Sequence, residues 1–251
     1  MSRIIGIIPA RMGSSRFPGK PLARLNDCPM IEHVYRQTAN CRLLDDVAIA
    51  TCDKEIAEAA AGFGANVIMT SSSHVRASDR VAEAVGDDPA EIVVMVQGDE
   101  PMIQPEMISA VVAPMLNDGM LGCVNLATII QSEAELKDPN TIKIVMDCSG
   151  NAIYLSREPI PTTYLNPFKK GKWFKQVCII PFRRDMLLRL ATLPQGNLEM
   201  LESIDMLRLL ENGLPLKVVT TDVYTHAVDT IEDLNLVESI LKNRAQSDLK
   251  G

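Results

Sequence analysis

No apolar run approaches the roughly 18 residues of a membrane span, and Ile4–Ile8 is too short and too poorly flanked for a signal peptide. Aromatic residues are only 4% of the chain, which removes the stacking platforms of single-strand nucleic-acid binders. The balance of 25 Lys and Arg against 32 Asp and Glu, net −7, argues against a nucleic-acid surface. Only three histidines occur, His33, His74 and His226, and a lone histidine reads first as structural. The six cysteines (Cys28, Cys41, Cys52, Cys123, Cys148, Cys178) form no Cys-x-x-Cys, so neither a zinc site nor a redox motif is indicated. No linker, repeat or low-complexity tract divides the chain. These absences leave a soluble, cytoplasmic protein with one domain over residues 1–251 and no nucleic-acid or membrane partner.

What is present is concentrated near the start. The β-branched run Ile4–Ile8 ends at Pro9 and gives way to a loop holding Arg11, Gly13, Ser14, Ser15, Arg16, Gly19 and Lys20. A buried parallel strand that opens onto a ligand crevice has this pattern. Two guanidinium forks and an ammonium suit a polyphosphate, and the small residues let backbone amides approach its oxygens. A solvated basic loop is the structural alternative. The loop is not a P-loop, because five residues separate Gly13 from Gly19 and Pro21 follows Lys20. No Gly-x-Gly-x-x-Gly follows the first strand either, which disfavours a dinucleotide site.

Apolar runs at Val47–Ala50, Val67–Met69, Ile92–Val96 and Cys123–Ile129 read as strands, alternating with helical spacing over Glu55–Ala61 and Met107–Met115. That alternation predicts an α/β fold with a doubly wound, mostly parallel mixed sheet. Asp53 reads as a helix cap. Gln97-Gly98-Asp99 ends a strand at the edge where open α/β sheets gather ligands, so Asp99 is expected to face the crevice. From Ile142 to Phe182 the pattern breaks into short strand-like pieces around a polar span with Asn166, Pro167, Lys169, Lys170 and Lys172, an excursion suited to packing against a second subunit. Leu198–Leu210 is predicted as one helix, with Glu199, Glu202, Asp205 and Arg208 along a face able to line a pocket. Arg244–Gly251 reads as a frayed tail.

The segment Pro9–Leu22 resembles the signature loop of the sugar-activating cytidylyltransferases, above all the 3-deoxy-manno-octulosonate (Kdo) cytidylyltransferases, or CMP-Kdo synthetases. Further matches follow in that family's order: Pro29-Met30-Ile31-x-His33-Val34, Met69-Thr70, His74, Val96 to Pro101, Tyr154-x-Ser156-Arg157-x-x-Ile160-Pro161 and Val228-Asp229-Thr230-x-Glu232-Asp233-Leu234. The resemblance spans nearly the whole chain. It implies a nucleotide-diphospho-sugar transferase-like Rossmann-type fold, a homodimer formed through the excursion at 142–182, and Mg²⁺-dependent transfer of CMP from CTP to an acidic sugar.

Asp99 and Asp229 each follow an apolar stretch and precede a helix start, so the fold could bring them together as hard oxygen ligands for Mg²⁺. The resemblance implies the same. Structurally, Asp229 could instead cap the helix near Thr230, with Glu232 near a capping-box position. Arg11, Arg16 and Lys20 are expected on the β- and γ-phosphates, with Arg11, Lys20, Asp99 and Asp229 as the catalytic set. Ala10, Gly13, Ser14, Ser78, Arg80 and Gln97 complete the expected nucleotide site. Gln97, Arg157, Gln176, Phe182, Glu202 and Asp205 are expected at the acceptor.

The chain departs from the family's pattern in two places. Where the family has His-Gln-Ser-Gly-Thr-Glu-Arg, this chain has His74 to Arg80 with Arg76-Ala77 in place of Ser-Gly. Where it has Arg-His-Leu-Gly-Ile-Tyr-Gly-Tyr-Arg, Lys175–Arg183 puts Gln176, Ile180 and Phe182 in place of a histidine and two tyrosines, and Met206 replaces a glutamine. Kdo is the default acceptor on this reading. A modified ulosonic acid, a nonulosonic acid or a phosphonate is the alternative, because lost polar groups change which hydroxyls are recognised. A catalytically silent nucleotide-binding scaffold is a third reading, opposed by retention of Asp99, Asp229, Arg11, Arg16 and Lys20.

Overall fold

The structure is a computed structural model that describes residues 2–13, 16–164, 168 and 171–248. Ser14, Ser15, Asn166, Pro167, Lys169 and Lys170 lie outside the described residues. In chain order the elements begin β1 (Ile4–Ala10), a 3₁₀ turn (Lys20–Leu22), β2 (Arg24–Leu25), β3 (Cys28–Pro29), α1 (Met30–Ala39), β4 (Asp46–Thr51) and α2 (Lys54–Gly62). Next come β5 (Asn66–Met69), α3 (Ala77–Val85), β6 (Ile92–Val96), α4 (Pro105–Asn117), β7 (Val124–Ile129) and α5 (Glu133–Lys137). Then follow β8 (Lys143–Met146), β9 (Ala152–Ser156), β10 (Phe174–Val177), β11 (Ile179–Arg183) and α6 (Arg184–Thr192). The chain closes with α7 (Asn197–Glu202), α8 (Leu207–Glu211), β12 (Lys217–Thr221) and α9 (Ile231–Asp248).

Successive residues of β1, β4 and β6 point to opposite faces of the sheet, and both faces are buried. Ile5, Ile7, Ala48, Ala50, Val93 and Met95 join a core with α3 and α6, while Ile4, Ile8, Val47, Ile49, Ile92 and Val94 join one with α1, α2 and α4. Helices on both faces explain why these strands are continuous apolar runs rather than alternating ones. The sheet runs β11-β6-β1-β4-β5, parallel except for β11, which is antiparallel to β6. Pro9 does not end β1, as the sequence suggested. It pairs with Ala50 of β4, while pairing to β6 stops at Ile7, so its missing N–H falls where no partner strand needs it.

A second sheet, β12-β7-β10-β8-β9, holds most of the excursion. Its β10 and the first sheet's β11 are one path that changes sheets at Cys178, beside the end of β6, where Gln97 N donates to Cys178 O at 3.0 Å. Gly98 is required there, since a Cβ would lie 2.9 Å from Ile31 Cδ1 and 3.2 Å from the Pro9 carbonyl oxygen.

Three expectations are corrected. The predicted helix over Leu198–Leu210 is two short ones, broken at Ser203, whose φ of 55° is left-handed. Ile204, Met206 and Leu207 of the inferred apolar face are buried, but Leu201 is 75% exposed and the charged Glu199 is fully buried against Arg208. The tail is helical to Asp248, with Arg244 Nη2 donating to the Tyr224 carbonyl at 3.0 Å. Asp53 sits at the N-cap of α2 without a capping bond and instead accepts the Met12 amide at 2.7 Å.

Candidate active site

The ends of β1 and β6 and the segment before α9 meet in one crevice. Asp99, just past β6, accepts from Lys20 Nζ at 2.7 Å, and Asp229 accepts from the same ammonium at 3.2 Å. Two carboxylates from distant parts of the chain therefore converge on one cation position. Burial alone lowers the Lys20 pKa, but Asp99 and then Asp229 outweigh it, holding the ammonium above its ordinary value. Arg16 Nη2 reaches the same Asp229 oxygen at 3.1 Å.

Asp229 is free to do this because it does not cap α9. Thr230 and Asp233 form the capping box: Thr230 Oγ1 accepts the Asp233 amide at 3.2 Å, and the Asp233 carboxylate accepts the amides of Thr230 and Asp229 at 2.9 and 3.0 Å. On the other side of the crevice, Val228 N donates to the Asp99 carbonyl at 2.9 Å. Glu100 ties this backbone to its neighbours, accepting from Cys178 N and Thr225 Oγ1 at 3.2 Å each. Burial, then the charge of Asp99, pushes its pKa up to about 7.

Two cavities open from this point. One, of about 470 Å³, is lined by Ala10, Arg11, Gly13, Arg16, Lys20, Arg76, Arg80 and Gln97, so most of the expected nucleotide site is brought together. Its six Arg and Lys side chains, Arg157 among them, face three carboxylates, Asp99, Asp205 and Asp229, an excess of positive charge suited to a triphosphate. Arg80 is buried and donates to the Ser71 carbonyl at 3.2 Å. Ser78 is not at the cavity as expected. It is 1% exposed in the first turn of α3, where its amide donates to Asp205 at 3.2 Å.

The other cavity, of about 210 Å³, shares Arg16, Gln97, Asp99, Arg157, Ser203, Asp205 and Asp229 with the first. Gln176 lines it with its amide donating to Asn125 Oδ1, beside an apolar wall of Ile142, Cys178, Ile180 and Ile204. Burial and then the nearby Arg16 charge lower the Arg157 pKa, so the two cations lie near one another at this cavity. Glu202 supports Arg157 from behind: its carboxylate accepts the Arg157 amide at 2.8 Å and the Ser156 hydroxyl at 2.7 Å, and its carbonyl accepts Arg157 Nε at 2.6 Å. Glu202 itself lines neither cavity.

Phe182 is corrected outright. It is 0% exposed in the core, on the same face of β11 as Ile180 but paired with Val93 of β6 and bridged to Cys123, so it lies back along the sheet from the crevice at the end of β6. Met206 is likewise fully buried in that core. Of the four positions that break the family's acceptor pattern, only Gln176 and Ile180 reach the cavity. Residues that the sequence reading did not assign include Lys175, which pairs with Glu135 and donates to the Thr225 carbonyl at 2.7 Å, and His226, which meets Asp233 at 2.8 Å. The Lys175 ammonium also lies over the Tyr224 ring, 5.1 Å from its centre, a contact between distant residues that local sequence does not show.

The sequence and the fold both match known enzymes. The cytidylyltransferase family model covers residues 5–240. The 3-deoxy-manno-octulosonate cytidylyltransferase of Syntrophotalea carbinolica is 43% identical over 95% of this chain and 98% of its own length. The enzyme of the same name from Solibacter usitatus is 42% identical over 96% and 95%. A CMP:2-keto-3-deoxy-manno-octonic acid synthetase solved with CTP superposes with a TM-score of 0.88 at 36% identity, covering 97% of this chain and all of that one. On this sequence, fold and crevice, the chain is a nucleotidyltransferase that belongs to the cytidylyltransferase family, in its 3-deoxy-manno-octulosonate cytidylyltransferase group.

Proposed function

We propose that the protein couples CTP to the anomeric hydroxyl of Kdo in a Mg²⁺-dependent reaction, giving CMP-Kdo and pyrophosphate. The observation that carries this reading is the convergence of Asp99 and Asp229 between a cation-rich cavity and a smaller one fronted by Arg157. The names of the relatives support Kdo as the acceptor, and the CTP-bound relative supports the nucleotide.

The donor set suits magnesium. Two carboxylates already share a cation position, filled by the Lys20 ammonium. Mg²⁺ is commonly held by one or two carboxylates together with waters and substrate phosphates. Bound there, Mg²⁺ would neutralise charge on the α-phosphate and on the leaving pyrophosphate.

The chain's own residues supply the rest. Arg11, Arg16 and Lys20 hold the outer phosphates, so that negative charge leaving with pyrophosphate meets fixed cations. Arg157, stiffened by Glu202, and its neighbour Arg16 bind the acceptor carboxylate. That contact aims the hydroxyl oxygen at the α-phosphorus, in line with the bond to the departing β-phosphate. Gln97 and Gln176 offer hydrogen bonds to the sugar.

The engagement of Gln176 and Ile180 with the smaller cavity favours a second reading, in which a modified ulosonic acid is used better than Kdo. We further propose a cytoplasmic homodimer formed through the excursion, supported by the exposure of Ile153 and Tyr164 there. No helix among the described residues is long and apolar enough to cross a membrane. A pyrophosphate-release screen of CTP, UTP, ATP and GTP against Kdo and a panel of acidic sugars, with and without a chelator, tests the function. Expected is release with CTP and Kdo that the chelator abolishes. Release with another nucleotide, or none with any acidic sugar, would overturn it. Light scattering tests the dimer.

A further inference from the structure

Arg76 stands where the family pattern has a small residue, and its guanidinium does not stop at the nucleotide cavity it lines. Nη1 donates to Ser203 Oγ at 2.7 Å, Nη2 to the Glu199 carbonyl at 3.2 Å, and Nε lies 3.2 Å from Glu199 Oε1. Both targets belong to α7 and the turn after it, more than a hundred residues away in sequence. That turn is the wall shared by the two cavities, since Ser203 and Asp205 line both. It is held from the nucleotide side by Arg76 and by the Ser78 amide on Asp205. From the acceptor side it is held by Arg157, through the Glu202 and Ser203 carbonyls.

The anchorage is rigid underneath. Glu199 is fully buried and takes two bonds of 2.7 Å from Arg208, which also donates to Asp79 of α3 at 2.9 Å. The first turn of α3 is therefore fastened at two levels, to α7 through Arg208 in the core and to the 203–205 turn through Arg76 at the cavity. Ser203 needs such a fastening, because its left-handed backbone is disfavoured for a residue with a Cβ.

We propose that Arg76 is a positioning residue that locks the turn shared by both cavities to the nucleotide-facing end of α3, so that CTP occupancy shapes the acceptor pocket. The inference rests on the function proposed above, in that the first cavity takes CTP and the second the acceptor. A ligand pressed against the first turn of α3 also restrains the 203–205 wall through Arg76, and linkage requires the acceptor to favour the nucleotide-loaded enzyme in return.

The test compares wild type with Arg76→Met by backbone hydrogen exchange, with and without CTP, and by steady-state kinetics. Glu199 keeps its two bonds to Arg208 in the variant, so the fold is retained. CTP is expected to slow exchange at residues 203–206 in wild type and to lose most of that effect in Arg76→Met. CTP affinity by calorimetry should change by less than about threefold, while the acceptor KM rises about tenfold and kcat falls less. Ser203→Ala should move KM in the same direction, and the double variant should be no worse than Arg76→Met alone.

Undiminished protection in Arg76→Met, or additive effects in the double variant, would overturn the inference. So would a loss of CTP affinity beyond about tenfold, which would make Arg76 a direct nucleotide ligand. The exchange measurement needs no acceptor, so it stands even if Kdo is not the substrate. Absence of pyrophosphate release from CTP and Kdo in wild type would sink the functional reading and not this one.

Discussion

Removing the Asp53 carboxylate should weaken CTP binding, although Asp53 lines neither cavity. Its Oδ2 accepts the Met12 amide at 2.7 Å, and the Met12 carbonyl accepts the Gly19 amide at 3.2 Å, so one residue of the cation loop is pinned at both ends of its backbone. An amide bonded to a charged acceptor contributes about 1.5–3 kcal/mol. If the loosened loop must be reordered when CTP binds, Asp53→Ala should lower affinity by about 10- to 150-fold, at 1.4 kcal/mol per tenfold. Asp53→Asn keeps an acceptor oxygen but not its charge, so about half that free energy remains, and the expected loss is about three- to twelvefold. Calorimetric titration of CTP into the three proteins gives the ranking. The reasoning is refuted if Asp53→Ala binds CTP within about twofold of wild type.

Lys20→Ala should weaken CTP far more than CMP in the same calorimeter, because one phosphate cannot engage every cation of the loop; equal losses would place Lys20 away from the outer phosphates. Lys143 is fully buried, with its ammonium on the carbonyls of Asp138, Thr141 and Arg157. Lys143→Met leaves those oxygens unpaired at about 1–3 kcal/mol each, so urea unfolding should show a loss of about 3 kcal/mol or more, and a loss under about 1 kcal/mol would contradict it. Burial alone raises the Glu202 carboxyl, but the Arg157 amide and the Ser156 and Tyr154 hydroxyls outweigh it and hold its pKa below the usual carboxylate range. The unfolded chain then binds that proton more readily, so the stabilisation is present above the unfolded value of about 4.3 and is lost as pH falls through the native one. Glu202→Gln should therefore lose stability less steeply than wild type below about pH 5, whereas parallel thermal-melt profiles would remove Glu202 from the acid response.

Much of this was legible because the informative features are local. Strands buried on both faces announce themselves as apolar runs, and Ile92–Val96 was found to the residue. The loop from Arg11 to Lys20 carries its chemistry in residue type and spacing alone. What failed depended on pairing between distant residues. Glu199 and Arg208 read as charges on a pocket-lining face, whereas each is the other's buried partner, and the expected helix breaks at Ser203 with Leu201 turned outward. Asp53 has the position of a cap, and only the fold brings Met12 to it. Phe182 shares a face of β11 with Ile180, but only the register against β6 shows that it lies back along the sheet from the crevice.

The claim on which the account turns is that Asp99 and Asp229 hold the metal on which turnover depends. Pyrophosphate release from CTP and Kdo, titrated with Mg²⁺ in wild type, Asp99→Asn and Asp229→Asn, tests it most directly. Metal charge stabilisation supplies several kcal/mol of barrier lowering, so each variant should lose about a hundredfold or more in kcat and need more Mg²⁺ for half-maximal rate. Either variant turning over near the wild-type rate, with an unchanged Mg²⁺ requirement, would contradict the account.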